Sequence, residues 1–333
     1  MSSSKILNAK DPKNIEQAVA VLRQGGVVAF PTETVYGLGA DALSHKAVCR
    51  IFEAKQRPSF DPLIVHVASV QEACGLWQEV PDIARLLMKK FWPGPLTLVL
   101  PKSGTIPDVV TSGLPTVAVR MPMNEEALFL IRALGRPIAA PSANLFGHTS
   151  PTTAEHVRDD LGDKVDLVLD GGDSVVGVES TVVKIEGDHI LLLRPGGVSV
   201  EELEKSVSVR KIKKSGSGIE SPGQTETHYA PWTPFYLLAR PWDQCPREEK
   251  KQLTARAGLL AFQTPKDASL FESVQVLSDR GDLTESASNL FQAMRKLDKM
   301  HLDILLAEPV PETGIGLAIM DRLRKASGGR SLC

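Results

Sequence analysis

Cysteine is scarce in this chain. Only Cys49, Cys74, Cys245 and Cys333 occur in 333 residues, with no C-x-x-C and no histidine pairing beside them. That argues against a zinc cluster and a disulfide scaffold, and it fits a reducing cytoplasm. No run approaches the roughly 18 apolar residues of a membrane span, and the first ten residues are polar, without the apolar stretch of a secretion signal. The expectation is a cytoplasmic protein, neither exported nor inserted. An excess of either charge is also missing: 38 Lys and Arg face 40 Asp and Glu, a formal net charge of -2. No global field therefore draws the protein to nucleic acid or membrane, and any basic site must be local. There is no G-x-x-x-x-G-K-[ST] and no G-x-G-x-x-G, since Gly314-x-Gly316 lacks the third glycine. H-E-x-x-H and G-x-S-x-G are absent too, which removes zinc proteases and α/β-hydrolases.

What is present is an alternation of two periods. Ile15, Ala18, Val19 and Leu22 mark a helix over residues 14–23, followed by Gly25-Gly26 and an apolar strand at 27–30. Ser44 caps a second helix through Val48, Ile51 and Phe52, before a strand at 62–67. Helices over 82–91, 124–134 and 154–161 interleave with strands at 96–100, 117–120, 137–141 and 165–169. A hairpin joins 181–185 to 189–193 around Glu186-Gly187-Asp188. Residues 211–234 lose all hydrophobic period and read as a linker. Beyond it, strands at 235–239, 258–262, 274–277 and 303–307 alternate with helices at 247–256, 284–297 and 315–325. At about 150 residues per domain, the length fits this division. The fold class is α/β: a mixed-sheet domain over 1–210, a linker over 211–234, and a small doubly wound parallel-sheet domain over 235–333. No repeat of fixed period is visible.

Several residue groups could carry chemistry. The stretch Phe30-Pro31-Thr32-Glu33-Thr34-Val35-Tyr36-Gly37-Leu38-Gly39 reads as a hydroxyl-rich strand-end loop, suited to a small ligand or simply to a capped turn. Lys55 and Arg57 close the second helix. Pro58 biases Arg57 towards extended geometry, so both cations could grip one polyanion from an exposed loop edge, or merely complement the helix dipole. His66 points to the face opposite Val65 and Val67. Arg120 and Arg194 end apolar strands, where each must be paired with a carboxylate, exposed, or an anion ligand. Pro141-Ser142-Ala143-Asn144 and Glu179-Ser180-Thr181 place small polar groups at strand ends, as a zwitterion or phosphate site would, or a plain turn.

Taken together, Pro31-Thr-Glu-Thr-Val-Tyr-Gly-Leu-Gly39, Lys55-x-Arg57-Pro58, Pro62-Leu-Ile-Val-His66, Pro141-Ser-Ala-Asn144 and Ser180-Thr-Val resemble the YrdC-like threonylcarbamoyl-AMP synthase family. Ser221-Pro222-Gly223, His228-Tyr229-Ala230-Pro231 and the late Gly314-x-Gly316-Leu-Ala-Ile-Met-x-Arg-Leu stretch resemble the linker and Rossmann-like second domain of its long form. The resemblance implies a nucleotidyltransferase that condenses L-threonine, bicarbonate and ATP to threonylcarbamoyl-AMP and pyrophosphate, for modification of the adenosine beside the anticodon in tRNA. It implies Lys55 and Arg57 as the catalytic pair. ATP is expected against Lys55, Arg57, Asp61, Ser142, Asn144 and Arg194, with Thr116, Ser150 and Tyr229 near it. L-threonine is expected against Thr34, His66, Arg120, the backbone of Ala140, and Ser180, with Arg120 facing its carboxylate. Mg²⁺ is expected on the ATP phosphates, with no dedicated protein metal site. A threonylcarbamoyl transferase complex downstream and tRNA are the implied partners, and a membrane is not.

Two departures from the family pattern stand out. Phe60-Asp61 replaces a polar pair, putting an aromatic near the nucleotide, and Gln224-Thr225-Glu226-Thr227 replaces a Met, a basic residue and Tyr. Competing readings are an RNA-binding module using Lys205, Arg210, Lys211, Lys213 and Lys214, and a hydrogenase-maturation carbamoyl transferase. Against the latter, the chain has neither zinc-finger cysteines nor an acylphosphatase-like segment.

Overall fold

A computed structural model describes residues 5–211, 221–223, 225, 227–251 and 256–332. Lys213, Lys214, Gln224, Glu226 and Cys333 lie outside the described residues. The chain divides into two compact units. The first comprises Met1–Phe146, Pro151–Val175 and Glu179–Gln224; the second comprises Gly147–Ser150, Val176–Val178 and Thr225–Cys333.

The first unit carries strands β1 (Lys5–Asn8), β2 (Val28–Phe30), β3 (Gly37–Asp41), β4 (Ile64–His66), β5 (Leu96–Pro101), β6 (Thr116–Arg120), β7 (Ile138–Ala139), β8 (Leu167–Asp170), β9 (Thr181–Glu186), β10 (His189–Arg194) and β11 (Ser208–Lys211). They form one mixed sheet in the order β1-β8-β2-β3-β7-β4-β6-β5-β9-β10-β11. Helices start where small polar side chains can hold the first free amides. Asp11 accepts from Lys13 N (3.0 Å) before Pro12–Arg23, Ser44 from Ala47 N (3.3 Å) before His45–Lys55, and Asn124 from Ala127 N (2.9 Å) before Glu125–Leu134. Helices Pro12–Arg23 and Glu125–Leu134 bury Ile15, Leu22, Leu130 and Ile131 with Val28, Phe30 and Leu169 of the sheet. A smaller cluster of Ile64, Val99, Ala118, Val182 and Leu193 lines the sheet further along.

The hydroxyl-rich segment is not all loop, because β3 starts at Gly37 and pairs antiparallel with β2, Phe30 opposite Gly37. Its glycines hid it from the strand pattern, yet the packing requires one of them. A Cβ on Gly39 would sit 2.7 Å from Ile138 Cγ2 and 2.7 Å from the Phe30 ring.

The second unit has strands β12 (Phe235–Leu238), β13 (Ala257–Ala261), β14 (Ser273–Val276), β15 (Ile304–Ala307) and β16 (Ser331–Leu332), all parallel, in the order β14-β13-β15-β12-β16. Helices Leu283–Asp298 and Gly316–Ser327 serve as crossovers, as a doubly wound sheet requires. Both parts of the α/β expectation hold. Among the described residues no helix is long and apolar enough to cross a membrane.

Candidate active site

The helix His45–Lys55 ends on Gln56, whose left-handed backbone (φ 52°) turns the chain so that Arg57 N bonds back to Phe52 O at 3.0 Å. This turn delivers two cations inward. Lys55 is 1% exposed, and its Nζ donates to Ser142 O (2.5 Å) and to Asn144 O. Burial above all, and then the neighbouring Arg57 charge, push the Lys55 ammonium well below its ordinary pKa. Arg57 is 7% exposed. It donates through Nε to Asp61 O (3.0 Å) and through Nη2 to Pro62 O (2.9 Å), and pairs with the Asp61 carboxylate at 2.9 Å. Burial raises the Asp61 pKa, while the charges of Arg57, Lys55 and Arg194 oppose the rise. The Phe146 ring lies 5.7 Å from the Arg57 guanidinium carbon, and Phe146 N donates to Lys55 O at 3.0 Å. Lys55, Ser142 and Asn144 are therefore joined directly, with Arg57 and Asp61 beside them.

A second group is set by sheet register. His66 stands opposite Arg120 in the β4–β6 pair, Thr97 opposite Val182 in β5–β9, and Arg194 opposite Val182 in β9–β10. One step past the Leu98–Val119 pair, the β5–β6 register brings Thr97 to Arg120. Register partners share a face of the sheet, so one transverse row carries His66, Arg120, Thr97, Val182 and Arg194. Arg120 donates from Nη1 to Thr34 Oγ1 (2.8 Å), and its Nη2 lies 2.6 Å from Glu33 Oε1. Thr97 and Ser180 share a hydroxyl hydrogen bond of 2.8 Å. Arg194 donates to Ser180 O from Nε (3.2 Å) and Nη2 (3.0 Å), to Ser180 Oγ (3.2 Å), and from Nη1 to Pro222 O (3.3 Å). Burial and the Arg120 charge lower the His66 pKa to about 3, which keeps the imidazole neutral near pH 7.

Of the residues expected at the site, the contacts gather Lys55, Arg57, Asp61, Ser142 and Asn144 into one cluster, and Thr34, His66, Arg120, Ser180 and Arg194 into the row. Ala140 lies where β7 ends, its amide donating to Ile64 O at 2.9 Å. Thr116 begins β6, four residues ahead of Arg120 and opposite Pro101. Ser150 and Tyr229 belong to the second unit, where both are buried: Arg295 Nε donates to Ser150 O (3.3 Å), and Tyr229 stacks on Phe291 with centroids 5.7 Å apart. One expectation fails. Arg57 does not sit at an exposed loop edge, because the Gln56 turn carries it into the interior, where the fully buried Asp61 demands its charge. Phe60, by contrast, is 56% exposed. Two contributors escaped the sequence reading. Glu33 pairs with Arg120, and its signal was the counter-ion that an arginine at an apolar strand end requires. Thr97 was signalled by strand alternation, which puts it on the Val99 face.

The family described as "Telomere recombination" matches residues 20–196, and the one described as "Threonylcarbamoyl-AMP synthase, C-terminal domain" matches residues 198–328. The chain belongs to the threonylcarbamoyl-AMP synthase family. It is 46% identical to the threonylcarbamoyl-AMP synthase of Pyrococcus abyssi, over 95% of this chain and 94% of that one, and 45% identical to that of Bacillus subtilis, over 97% and 95%. Among solved structures, a Pyrococcus abyssi protein complexed with L-threonine superposes with a TM-score of 0.91 at 44% identity, covering 99% of each chain. The similarity runs through both domains of the family's long form, in keeping with the resemblance drawn from the motifs.

Proposed function

We infer that the protein is an L-threonylcarbamoyl-AMP synthase, which condenses L-threonine, bicarbonate and ATP to threonylcarbamoyl-AMP and pyrophosphate. The observation that carries the reading is the meeting of family motifs in one unit of a family member: Lys55 with Ser142 and Asn144, and Arg120 with Thr34 and His66. The neutral amine of threonine adds to the carbon of carbon dioxide with release of a proton, or to that of bicarbonate with loss of water, to form a carbamate. A carbamate oxygen then attacks the α-phosphorus of ATP, and pyrophosphate leaves. No enzyme nucleophile is needed. The chain's work is to place two anionic reactants together and to neutralise charge on the triphosphate.

In this reading Lys55, Arg57 and Arg194 face the phosphates, with Asn144 and Ser142 setting the nucleotide's position. Lys55 has carbonyl partners rather than a carboxylate at hydrogen-bond distance, so a phosphate would favour its charged form and gain a strong contact. Arg120 takes the carboxylate of L-threonine, Thr34 and Ser180 offer hydroxyls, neutral His66 offers a hydrogen bond, and Ala140 offers its carbonyl. Mg²⁺, when bound, neutralises phosphate charge. The donor set fits a metal carried on ATP oxygens, since Asp61 is engaged by Arg57 and among the described residues no group of three His, Cys, Asp or Glu could hold a metal. The product would pass to a threonylcarbamoyl transferase complex acting on tRNA, in the cytoplasm that the free thiols Cys49, Cys74 and Cys245 suit.

Substrate omission tests the reading. Pyrophosphate release from ATP is expected only with L-threonine and bicarbonate both present, and equal release without threonine would remove the proposed substrate.

A further inference from the structure

Glu33 has no place in the reading above, yet it is a buried carboxylate paired with Arg120, the arginine of the proposed amino-acid site. It is 4% exposed, at the centre of the loop between β2 and β3, and its Oε1 lies 2.6 Å from Nη2 of Arg120. Both side chains are almost fully enclosed, 3% exposed for Glu33 and 4% for Arg120. Both carboxylate oxygens are buried and neither accepts a hydrogen bond among the described residues, so Oε1 has only the ion pair and Oε2 has not even that. Arg120 itself is held from a second side, through Nη1, by Thr34 Oγ1, which in turn shares a 2.8 Å hydrogen bond with Thr32 Oγ1. Of the other charged or titratable groups in the row, His66 is neutral near pH 7, and Arg194 donates to Ser180 O, Ser180 Oγ and Pro222 O. Arg120 and Glu33 are thus the cation and the anion that meet beside Thr34.

A buried ion pair of this kind makes a charge demand on whatever binds beside it. A ligand bringing only a carboxylate would leave two anions against one guanidinium in a water-poor site, which is costly. A ligand bringing a carboxylate and an ammonium adds no net charge. The carboxylate can share Arg120, and an ammonium, which has only donors to offer, can satisfy the open Oε2.

We propose, resting on the threonine reading above, that Glu33 is the charge-selecting residue of the amino-acid site: it fixes Arg120 and admits the substrate only as a zwitterion, excluding the corresponding hydroxy acid. Glu33 thereby delivers the amine with its nitrogen held beside a carboxylate, at the place where it must lose a proton before it can form the carbamate. Recognition by charge balance also explains why this carboxylate lies in the hydroxyl-rich loop: Thr34 and Glu33 address the same guanidinium from adjacent positions.

The test compares L-threonine with 3-hydroxybutanoate, the same skeleton without the amine, by calorimetric titration of the full-length protein. In the wild type, 3-hydroxybutanoate is expected to bind at least about 100-fold more weakly than L-threonine, like-charge juxtaposition costing several kcal/mol and 1.4 kcal/mol being tenfold. In Glu33→Gln the two affinities should move in opposite directions: L-threonine weaker by about tenfold or more and 3-hydroxybutanoate stronger by a similar factor. A residue that merely braces the loop would lower both together, and parallel loss overturns the proposal. If Glu33→Gln does not fold, the wild-type comparison decides, and comparable binding of both ligands overturns the proposal alone. A wild type that binds no L-threonine overturns the threonine reading and this inference with it.

Discussion

A buried cation needs a partner, and the four buried cations of the candidate site meet this need in different ways. Arg57 and Arg120 have carboxylates, Asp61 and Glu33; Lys55 is held by main-chain carbonyls, and Arg194 donates to the carbonyl and hydroxyl of Ser180. The difference sets what each replacement does. Arg57→Ala strands the fully buried Asp61 charge and is expected to cost about 3–5 kcal/mol of stability, read from urea unfolding. Adding Asp61→Asn should recover part of the stability without restoring ATP affinity, and recovery of both would remove Arg57 from the nucleotide site. His66 supplies a pH dependence. Its pKa falls from the ordinary 6.5 to about 3 on folding, so between those values the unfolded chain binds a proton that the folded chain does not. Stability is therefore complete above pH 6.5 and declines as the pH falls towards 3. His66→Gln should flatten that decline over pH 4–6.5 in urea midpoints, and an unchanged slope would assign the acid loss to other groups.

At the scale of elements, the site depends on where short strands end. β4 has three residues and β7 only two, yet they hold His66 opposite Ile138 and bring Ala140 to Ile64. The antiparallel β2–β3 pair holds the loop that carries Glu33 and Thr34. Gly39 lets that pair pack against Phe30 and Ile138 without clash. Gly39→Ala should push β3 away and lower stability by about 1–3 kcal/mol, with a loss of L-threonine affinity larger than that of ATP. An equal loss of both would show that the strand supports the unit as a whole rather than the amino-acid end. The helix His45–Lys55 was visible from its Ser44 cap and its apolar period, but its last turn was not. A left-handed Gln56 has no sequence signature as plain as glycine, and this one residue decides whether Arg57 faces solvent or core.

On the whole-molecule scale, each unit has a core cluster of its own, and the four tryptophans divide between the units. Trp77 and Trp92 are tied to the site-bearing sheet through Val117 O (3.3 Å) and Leu96 O (2.7 Å), while Trp232 and Trp242 belong to the second unit. With Trp232 and Trp242 replaced by Phe, fluorescence reports the first unit alone. L-threonine at about 100 times its Kd should then stabilise that unit by about 2.7 kcal/mol, seen as a higher urea midpoint. No shift would place the threonine site elsewhere. By itself the sequence determined the alternation of helix and strand, the two α/β parts and the family, because hydrophobic period, caps and contiguous motifs are local properties of the chain. Which motif residues touch, that Arg120 is answered by Glu33, and that Arg57 turns inward were decided only by the tertiary structure. Strand register and the direction of a buried side chain depend on partners that lie tens of residues away along the chain.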